Sequence, residues 1–189
     1  MASEIPKAQV IDYIIELFVK RGQANYSGEP VSQTEHALQA AWAAEKQNAS
    51  AAMIASALLH DLGHLLHDFG EDCADAGIDD LHEERAAAWL ADYFGPDVTE
   101  PIRLHVAAKR YRCATEPHYF RALSPASVQS LALQGGPFTP DEVDAFQRLE
   151  HSQQALRLRL WDEIAKVENL ATPDLEHFRP YLTAALRAD

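Results

Sequence analysis

The chain has 189 residues, of which 47% are hydrophobic and 24% charged, the composition of an ordinary globular domain. Its formal net charge of −13 argues against a nucleic-acid partner, which would need a basic face. The first residues mix charges into their apolar positions, unlike a signal peptide, and no apolar run approaches the length of a membrane span. The two cysteines, Cys73 and Cys113, have no metal-ligand spacing and form no disulfide framework. We expect one soluble, cytoplasmic domain over residues 1–189.

Helix signals follow one another along the chain, and strand signals are nearly absent. Ser32 and Glu35 have capping-box spacing at the start of an Ala-rich helix. The next helix is predicted to begin after Asn48 or Ser50 and to continue to about His67, where an acidic, glycine-bearing loop follows.

Glycine, proline and capping residues mark the later helices. They predict one helix that ends at Gly95-Pro96 and a following helix with Pro101 in its first turn. A further helix is predicted from Ser124-Pro125 to Gly135-Gly136. A long helical stretch is predicted to begin at Thr139-Pro140, and a last helix is predicted to be kinked near Pro180. Together these signals predict an all-α bundle of seven or eight helices.

Histidines and aspartates recur on the apolar faces of these helices, at His36, His60, Asp61, His64, His82, His105 and Asp162. Such groups are costly to bury unless they are paired or bind a metal. Five or six nitrogen and oxygen ligands are too many for one tetrahedral zinc. A set with a bridging aspartate suits two transition metals about 3.5–4 Å apart, and its chemistry is compatible with Fe, Mn or Zn. We expect the remaining histidines to be solvated, namely His67, His118, His151 and His177.

The order of these residues, a histidine, then a His-Asp pair, then a histidine and an aspartate, resembles the pattern of the HD-domain superfamily. Most members are phosphohydrolases, and a smaller branch uses a mixed-valent di-iron centre to activate O₂. Several segments resemble the PhnZ-type 2-amino-1-hydroxyethylphosphonate dioxygenases of that branch. They are NYSGEPVSQTEHALQ, ALLHDLGH, HVAAKRY, LSPAS, QGGPF and RLWDE, which span roughly residues 25–165.

The resemblance implies two iron ions, Fe(II) and Fe(III), as the cofactor. One would be bound by His36, His60, Asp61 and Asp162, and the other by His82, His105 and the bridging Asp61. It also implies that Tyr26, hydrogen-bonded to Glu29, closes the second iron's open position until substrate arrives.

The same resemblance places His64, Lys109, Ser127 and Ser130 around the phosphonate, with Gln33 close to the substrate. The chain departs from the family at residue 130, which is Ser where a longer hydroxyl residue is expected, and at residue 25, which is Asn where the related enzymes have an acid. The loss of a carboxylate near the amine end favours a quaternary trimethylammonium, which prefers aromatic faces. The candidate aromatic walls, each also a candidate core residue, are Tyr93, Phe94, Tyr111 and Tyr119.

Three functions are compatible with these residues. The first is an O₂-dependent oxygenase that cleaves the C–P bond of a small 1-hydroxy-2-aminoethylphosphonate or its N-trimethylated analogue, releasing phosphate and glycine or glycine betaine. The second is a metal-dependent phosphohydrolase of the HD type, and the third is a non-catalytic binding module. Tyr26 and Glu29 favour the oxygenase, because a displaceable ligand has no evident task in hydrolysis. The sequence leaves open the methylation of the nitrogen, the metal and the oligomeric state.

Overall fold

The computed structural model describes residues 5–26, 28–66 and 79–188, and the regular structure in these ranges is helical. The α-helices are α1 (Val10–Arg21), α2 (Gln33–Lys46), α3 (Ala51–Leu59), α4 (His82–Leu90), α5 (Pro96–Thr115), α6 (Pro117–Ala122), α7 (Pro125–Leu133), α8 (Pro140–Gln147), α9 (Ser152–Ile164) and α10 (Leu175–Ala185). Short 3-10 helices lie at Lys7–Gln9 and Leu62–Leu65. The all-α prediction is confirmed. The described helices number ten because α1 and α6 were not predicted and the stretch after Thr139 forms two helices, α8 and α9.

The predicted caps begin the helices that they were assigned to. Ser32 and Glu35 form a reciprocal capping box at α2, and Thr139 forms another at α8. The Ser50 hydroxyl accepts a hydrogen bond from the first turn of α3, and the Ser124 hydroxyl does so at α7. Each cap satisfies backbone N–H groups that the helix itself leaves unpaired.

The prediction of one helix to His67 is wrong, because α3 ends at Leu59 and a 3-10 helix follows at Leu62–Leu65. The tighter turn brings Gly63 against the backbone at the start of α4. A Cβ on Gly63 would lie 2.0 Å from the carbonyl oxygen of His82. His67, Cys73 and most of the acidic loop lie outside the described residues.

The prediction that a helix ends at Gly95-Pro96 is wrong, because a helix begins there. Helix α4 already ends at Leu90, Gly95 is the N-cap of α5, and Pro96 is its first residue. Pro101 therefore lies inside α5 and not in its first turn. A proline inside a helix removes one backbone hydrogen bond. The buried side chains of Val98 and Ile102 anchor α5 on either side of that position, so packing outweighs the loss.

The main hydrophobic core lies where α2, α3, α5 and α9 pack against one another, with α4 on α5 and α10 on α3. This arrangement matters for function because α2, α4, α5 and α9 each carry one of the predicted metal ligands, and His60 and Asp61 directly follow α3. Within the described ranges, no helix combines the length and the apolar character needed to cross a membrane.

Candidate functional site

Four buried histidines point the same ring atom, Nε2, into one space between the helices. In each ring the other nitrogen, Nδ1, donates to an outer acceptor. The acceptors are the carbonyl of Ala165 for His36 (2.8 Å), of Ala57 for His60 (2.9 Å) and of Ile102 for His105 (2.7 Å), and the carboxylate of Asp80 for His82 (3.0 Å). Because a carbonyl or carboxylate oxygen accepts the proton of Nδ1, the neutral ring has a bare lone pair at Nε2. Such outer contacts are how proteins orient histidine for metal binding.

The carboxylate of Asp61 lies between two pairs of these histidines. Its Oδ2 is 3.3 Å from Nε2 of His60 and 3.6 Å from Nε2 of His36. Its Oδ1 is 3.4 Å from Nε2 of His82 and 3.5 Å from Nε2 of His105. Both oxygens are buried and have no hydrogen-bond partner among the described residues. One carboxylate therefore presents one oxygen to each of two nitrogen pairs, the arrangement of a bridging ligand.

Asp162 adds a further oxygen on the His36 side. Its Oδ1 lies 3.5 Å from Nε2 of His36 and accepts no hydrogen bond from the part of the chain that the structure describes, whereas its Oδ2 accepts from Arg159 at 2.5 Å. The Arg159 guanidinium is buried and also donates to the Tyr119 hydroxyl and to Glu163. Although burial opposes ionisation of Asp162, Arg159 holds the pKa of its carboxyl below the ordinary value. The carboxylate is thus charged, with one oxygen available for a ligand role.

The donor set fits a pair of cations. Nε2 of His36 and Nε2 of His60 are only 3.0 Å apart, and those of His82 and His105 are 3.3 Å apart. Burial together with His60 lowers the pKa of His36 to about 4, and burial lowers that of His105 to about 3, so both rings are neutral. Although burial opposes it, Asp61 raises the pKa of His60, and Asp80 and Asp61 raise that of His82 to about 9. Each pair therefore combines a neutral ring with one that holds a proton when no cation is bound, and a metal ion would replace that proton. All six predicted ligands are brought together here.

His64 is one further candidate ligand on the His82 side of Asp61. Asp61, His64 and His82 have ligand atoms within 4.8 Å of one another. The His64 ring stacks on that of His82, with centroids 4.1 Å apart, but its Nδ1 is already paired with Asp80 at 2.7 Å. The Nε2 atom of His105, by contrast, lies beside Oδ1 of Asp61 with its Nδ1 anchored outside the cluster. His105 is therefore the better ligand, and His64 lies next to the cluster.

Tyr26 covers the cluster from the loop before α2. Its ring stacks on His36, with centroids 3.9 Å apart and planes 13° from parallel. Burial and the negative charges of Asp61 and Asp162 raise the pKa of the Tyr26 phenol. The hydroxyl consequently stays protonated unless a cation is bound beside it.

Glu29 lies in the same loop, but its carboxylate has partners other than the Tyr26 hydroxyl. Oε1 of Glu29 accepts from the Ser124 hydroxyl at 2.5 Å and lies 3.3 Å from the Lys166 ammonium. Its contact with Tyr26 is through the backbone, where the Glu29 N–H donates to the Tyr26 carbonyl at 2.7 Å. The predicted side-chain hydrogen bond from Tyr26 to Glu29 is not among the contacts of the described residues.

Two lysines meet two serines of α7 beside the cluster. Lys109 Nζ donates to Oγ of Ser130 at 2.9 Å, and Lys166 Nζ donates to Oγ of Ser127 at 3.0 Å. Burial, with the charge of Arg159, lowers the pKa of Lys109 to about 7. Two cationic groups and two hydroxyls on one side form a site for an anion with several oxygens.

The segment after α7 is fixed to α5 by Arg110. Its Nε donates to the carbonyl of Gly136 at 2.8 Å, and its guanidinium lies 4.5 Å from the ring centroid of Phe138. Gly135 and Gly136 both have positive φ, which a glycine adopts without strain. The motifs HVAAKRY and QGGPF therefore contact each other, and this contact sets α7 against Lys109.

Proteins of known function that resemble this chain act on hydroxylated phosphonates. The [1-hydroxy-2-(trimethylamino)ethyl]phosphonate dioxygenase (glycine-betaine-forming) of Leisingera caerulea is 42% identical over 178 residues, which cover 94% of this chain and 91% of the relative. The hydroxymethylphosphonate dioxygenase of Gimesia maris is 43% identical over 92% of this chain and 86% of the relative. The chain belongs to the hydroxyphosphonate dioxygenase family. An uncharacterized protein of Acanthamoeba polyphaga mimivirus is 32% identical over 90% of the chain and 79% of its own length. No protein-family model matches the chain.

Two of the residues that the resemblance places near the substrate, Asn25 and Gln33, are described only through backbone contacts. Asn25 is exposed, and its described contact is a backbone bridge to Ser32. Gln33 is half-buried, and its described contact is also through the backbone, to the carbonyl of Ala24. Neither side chain has a described contact with the histidines.

The four aromatic residues offered as walls are packing residues in the described structure. Tyr93 and Phe94 belong to the main core. The ring of Tyr111 packs on that of Phe146, and the Tyr119 hydroxyl donates to Glu163. Tyr26, by contrast, has its ring against the histidine cluster, where it stacks on His36.

The histidines predicted to be solvated, of which three are described, differ from one another. His118 is exposed, and its Nδ1 lies 2.9 Å from Nη2 of Arg121. His177 is exposed but pairs with Glu45 at 2.8 Å. His151 differs from the prediction, because its ring is half-buried and its Nδ1 has no hydrogen-bond partner among the described residues.

Sequence reasoning missed four residues of the site, which are Asp80, Arg159, Lys166 and Ser124. The alternation of charged and apolar residues in RLRLWDEIAKV is typical of a helix with one exposed face, yet Arg159 is 4% exposed and the Lys166 side chain 12%. Arg159 precedes Asp162 by three residues, the spacing of a helical ion pair, so its role had a local signal. Lys166 had none, because its partners lie on other segments.

Proposed function

We propose that this protein is a two-iron oxygenase that cleaves the C–P bond of a small 1-hydroxyphosphonate in an O₂-dependent reaction. The substrate carries a nitrogen on the carbon next to the hydroxyl-bearing one, and the N-trimethylated form is favoured. The products are phosphate with glycine betaine, or glycine when the nitrogen bears no methyl groups.

The observation that supports two metal ions is Asp61, whose two oxygens, unpaired among the described residues, face two separate pairs of histidine nitrogens. His36, His60 and Asp162 would complete one site, and His82 and His105 the other. A bound Fe(II)/Fe(III) pair would supply redox activation of O₂ and Lewis-acid positions for the hydroxyl and a phosphonate oxygen. Imidazole and carboxylate ligands are compatible with iron.

The protein's own groups would bind and orient the phosphonate. Lys109 places an ammonium between the cluster and α7, and Ser127 and Ser130 offer hydroxyls on the same side. His64, whose Nδ1 pairs with the carboxylate of Asp80, would donate from Nε2 to a phosphonate oxygen in its doubly protonated form. A dianion held by these groups would have its hydroxyl-bearing carbon beside the metal pair.

Tyr26 would occupy the open metal position in the substrate-free protein. Its ring already lies against His36 and its hydroxyl is in the field of Asp61 and Asp162. A displaceable phenol would protect the site from unproductive reaction with O₂ until substrate arrives. This role has no counterpart in phosphate ester hydrolysis, which supports the oxygenase over the hydrolase.

The preference for a trimethylated nitrogen rests on two observations. Asn25 stands where the resemblance leads us to expect an acid, so a negatively charged partner for a primary ammonium is missing at this position. The relative from Leisingera caerulea is named for the trimethylated substrate and covers almost the whole chain.

A panel of candidate substrates tests the proposal. The iron-loaded protein is incubated with the N-trimethylated, amino and hydroxymethyl compounds and with a phosphomonoester, in air and without O₂. Phosphate should appear from the nitrogen-bearing 1-hydroxyphosphonates and only in air, together with glycine betaine or glycine. Comparable anaerobic release from the phosphomonoester would instead establish a hydrolase.

A further inference from the structure

Lys166 joins the loop that carries Glu29 to the first turn of α7. Its ammonium donates to Oγ of Ser127 at 3.0 Å and pairs with Oε1 of Glu29 at 3.3 Å. The same Oε1 accepts from Ser124, the N-cap of α7, at 2.5 Å. Both charged side chains are almost buried, with exposed fractions of 12% for Lys166 and 10% for Glu29.

The backbone around Lys166 is fixed by the helix that carries a metal ligand. The side-chain amide of Gln39 donates to the carbonyl of Val167 at 2.8 Å and accepts from its N–H at 3.0 Å. The carbonyl of Ala165 accepts from Nδ1 of His36. Lys166 therefore projects from an anchored position, and its ion pair with Glu29 is a built feature of the site.

The two ends of this ion pair have surroundings that suit two different parts of the expected substrate. Ser127, which Lys166 contacts, is three residues from Ser130, which Lys109 contacts, so both ammonium groups serve one face of α7. That face suits a phosphonate. The Lys166 ammonium also lies 5.9 Å from the ring centroid of Tyr26, so the cation that now pairs with Glu29 has an aromatic ring nearby.

We propose that Glu29 and Lys166 form an internal ion pair whose partners a zwitterionic substrate exchanges. The phosphonate takes Lys166 in addition to Lys109, and the substrate's nitrogen cation takes Glu29 in place of Lys166. Each buried charge keeps a partner throughout the exchange. This inference rests on the proposed function and adds a binding residue and a basis for substrate selectivity to it.

Selectivity depends on whether the bound ligand leaves the Glu29 carboxylate without a cationic partner. A phosphonate without a cationic group would draw Lys166 away and leave the Glu29 carboxylate almost buried and without its cation, which is unfavourable. A zwitterion leaves no such charge. Glu29 therefore opposes the binding of phosphonates that lack nitrogen, but only while Lys166 is its partner.

The test uses two unreactive ligands that lack the hydroxyl, 2-(trimethylammonio)ethylphosphonate and ethylphosphonate, and measures their dissociation constants by calorimetry on metal-loaded protein without O₂. We expect the wild type to prefer the zwitterion. Glu29→Gln should tighten ethylphosphonate binding and weaken zwitterion binding. In the Glu29→Gln background, where no ion pair has to be broken, Lys166→Met should weaken both ligands by about tenfold or more, the loss expected for a hydrogen bond to a charged group.

The double variant, which combines Glu29→Gln with Lys166→Met and so removes both charges, gives the decisive comparison. When Lys166→Met is already present, Glu29→Gln should no longer tighten ethylphosphonate binding. Lys20→Met is the matched control, because Lys20 is an exposed lysine on α1 paired with Glu16. It should leave both dissociation constants unchanged.

Two results would overturn the exchange: the same effect of Glu29→Gln on ethylphosphonate with and without Lys166→Met, or no effect of Lys166→Met on either ligand in the Glu29→Gln background. Wild-type turnover separates this failure from that of the proposed function. If the wild type releases phosphate from the zwitterionic 1-hydroxyphosphonate in air, only the exchange is wrong. If it neither binds the ligands nor releases phosphate, the proposed function is wrong.

Discussion

Arg159 binds one oxygen of Asp162 and leaves the other facing the histidine cluster at His36. The guanidinium donates to Oδ2 at 2.5 Å, whereas Oδ1 has no hydrogen-bond partner in the described ranges. Both side chains are almost completely buried. A carboxylate held in this way can offer only a single oxygen to a cation, so Arg159 determines how Asp162 serves as a ligand.

Replacement of Arg159 by Met should therefore destabilise the fold and weaken metal binding at the His36 site. It leaves a buried carboxylate without its cation, which costs about 3–5 kcal/mol. Thermal unfolding and metal analysis of the purified variant measure the two effects. Arg157→Met is the control, because Arg157 lies on the same helix but is exposed and packs over Trp161. Equal stability of the two variants would contradict this role for Arg159.

Loss of Asp61 should remove both metal ions, and loss of a histidine chiefly one. Asp61 lies within 3.6 Å of Nε2 atoms in both histidine pairs, whereas His82 belongs to one pair. We expect about two metal ions per chain in the wild type, near none in Asp61→Ala, and about one in His82→Ala. Elemental analysis of protein expressed with iron gives the counts. One tightly bound ion that persists in Asp61→Ala would exclude the bridging role.

Gly63→Ala should be far more disruptive than Gly95→Ala. The added Cβ at residue 63 would lie 2.0 Å from the backbone carbonyl oxygen of His82, which cannot move aside without displacing the start of α4. At Gly95 no described atom lies within 4 Å of the added Cβ, and φ is −81°. We expect a loss of about 1–3 kcal/mol or more at Gly63, and of about 1 kcal/mol or less at the Gly95 cap. Chemical denaturation of both variants tests this, and equal losses would refute the close contact.

Affinity for a phosphonate should fall as the pH rises above neutrality. Burial and Arg159 lower the pKa of Lys109 to about 7, so above this pH the free protein must take up a proton before the ammonium can pair with a dianion. The apparent dissociation constant should then rise by about tenfold per pH unit. Lys109→Arg should flatten this dependence, because its guanidinium stays charged. The same slope in both proteins would mean that another group is responsible.

The clustering of the six candidate ligands could be predicted from sequence because they are few, ionisable and placed on apolar helical faces. Their outer contacts could not, since His36, His60 and His105 are oriented by backbone carbonyls, which every residue has. The end of α3 at Leu59 could also not be predicted from the sequence. There, the need to bring Gly63 against the start of α4 outweighs an apolar pattern that favours a continuous helix.

The partners of Glu29 show a second limit of the sequence. The resemblance assigned its carboxylate to Tyr26, a neighbour in the same local motif. In the structure the carboxylate meets Ser124 and Lys166, which lie on distant segments brought together by the packing of the helices around the site. Contacts of this kind follow from tertiary structure and leave no local pattern.

The central claim is tested most directly by the ratio of O₂ consumed to phosphate released. The iron-loaded wild type is given the N-trimethylated 1-hydroxyphosphonate, and an oxygen electrode and a phosphate assay follow the same reaction. The proposed chemistry predicts one O₂ consumed for each phosphate and no phosphate under anaerobic conditions. Phosphate release that continues without O₂ would contradict it.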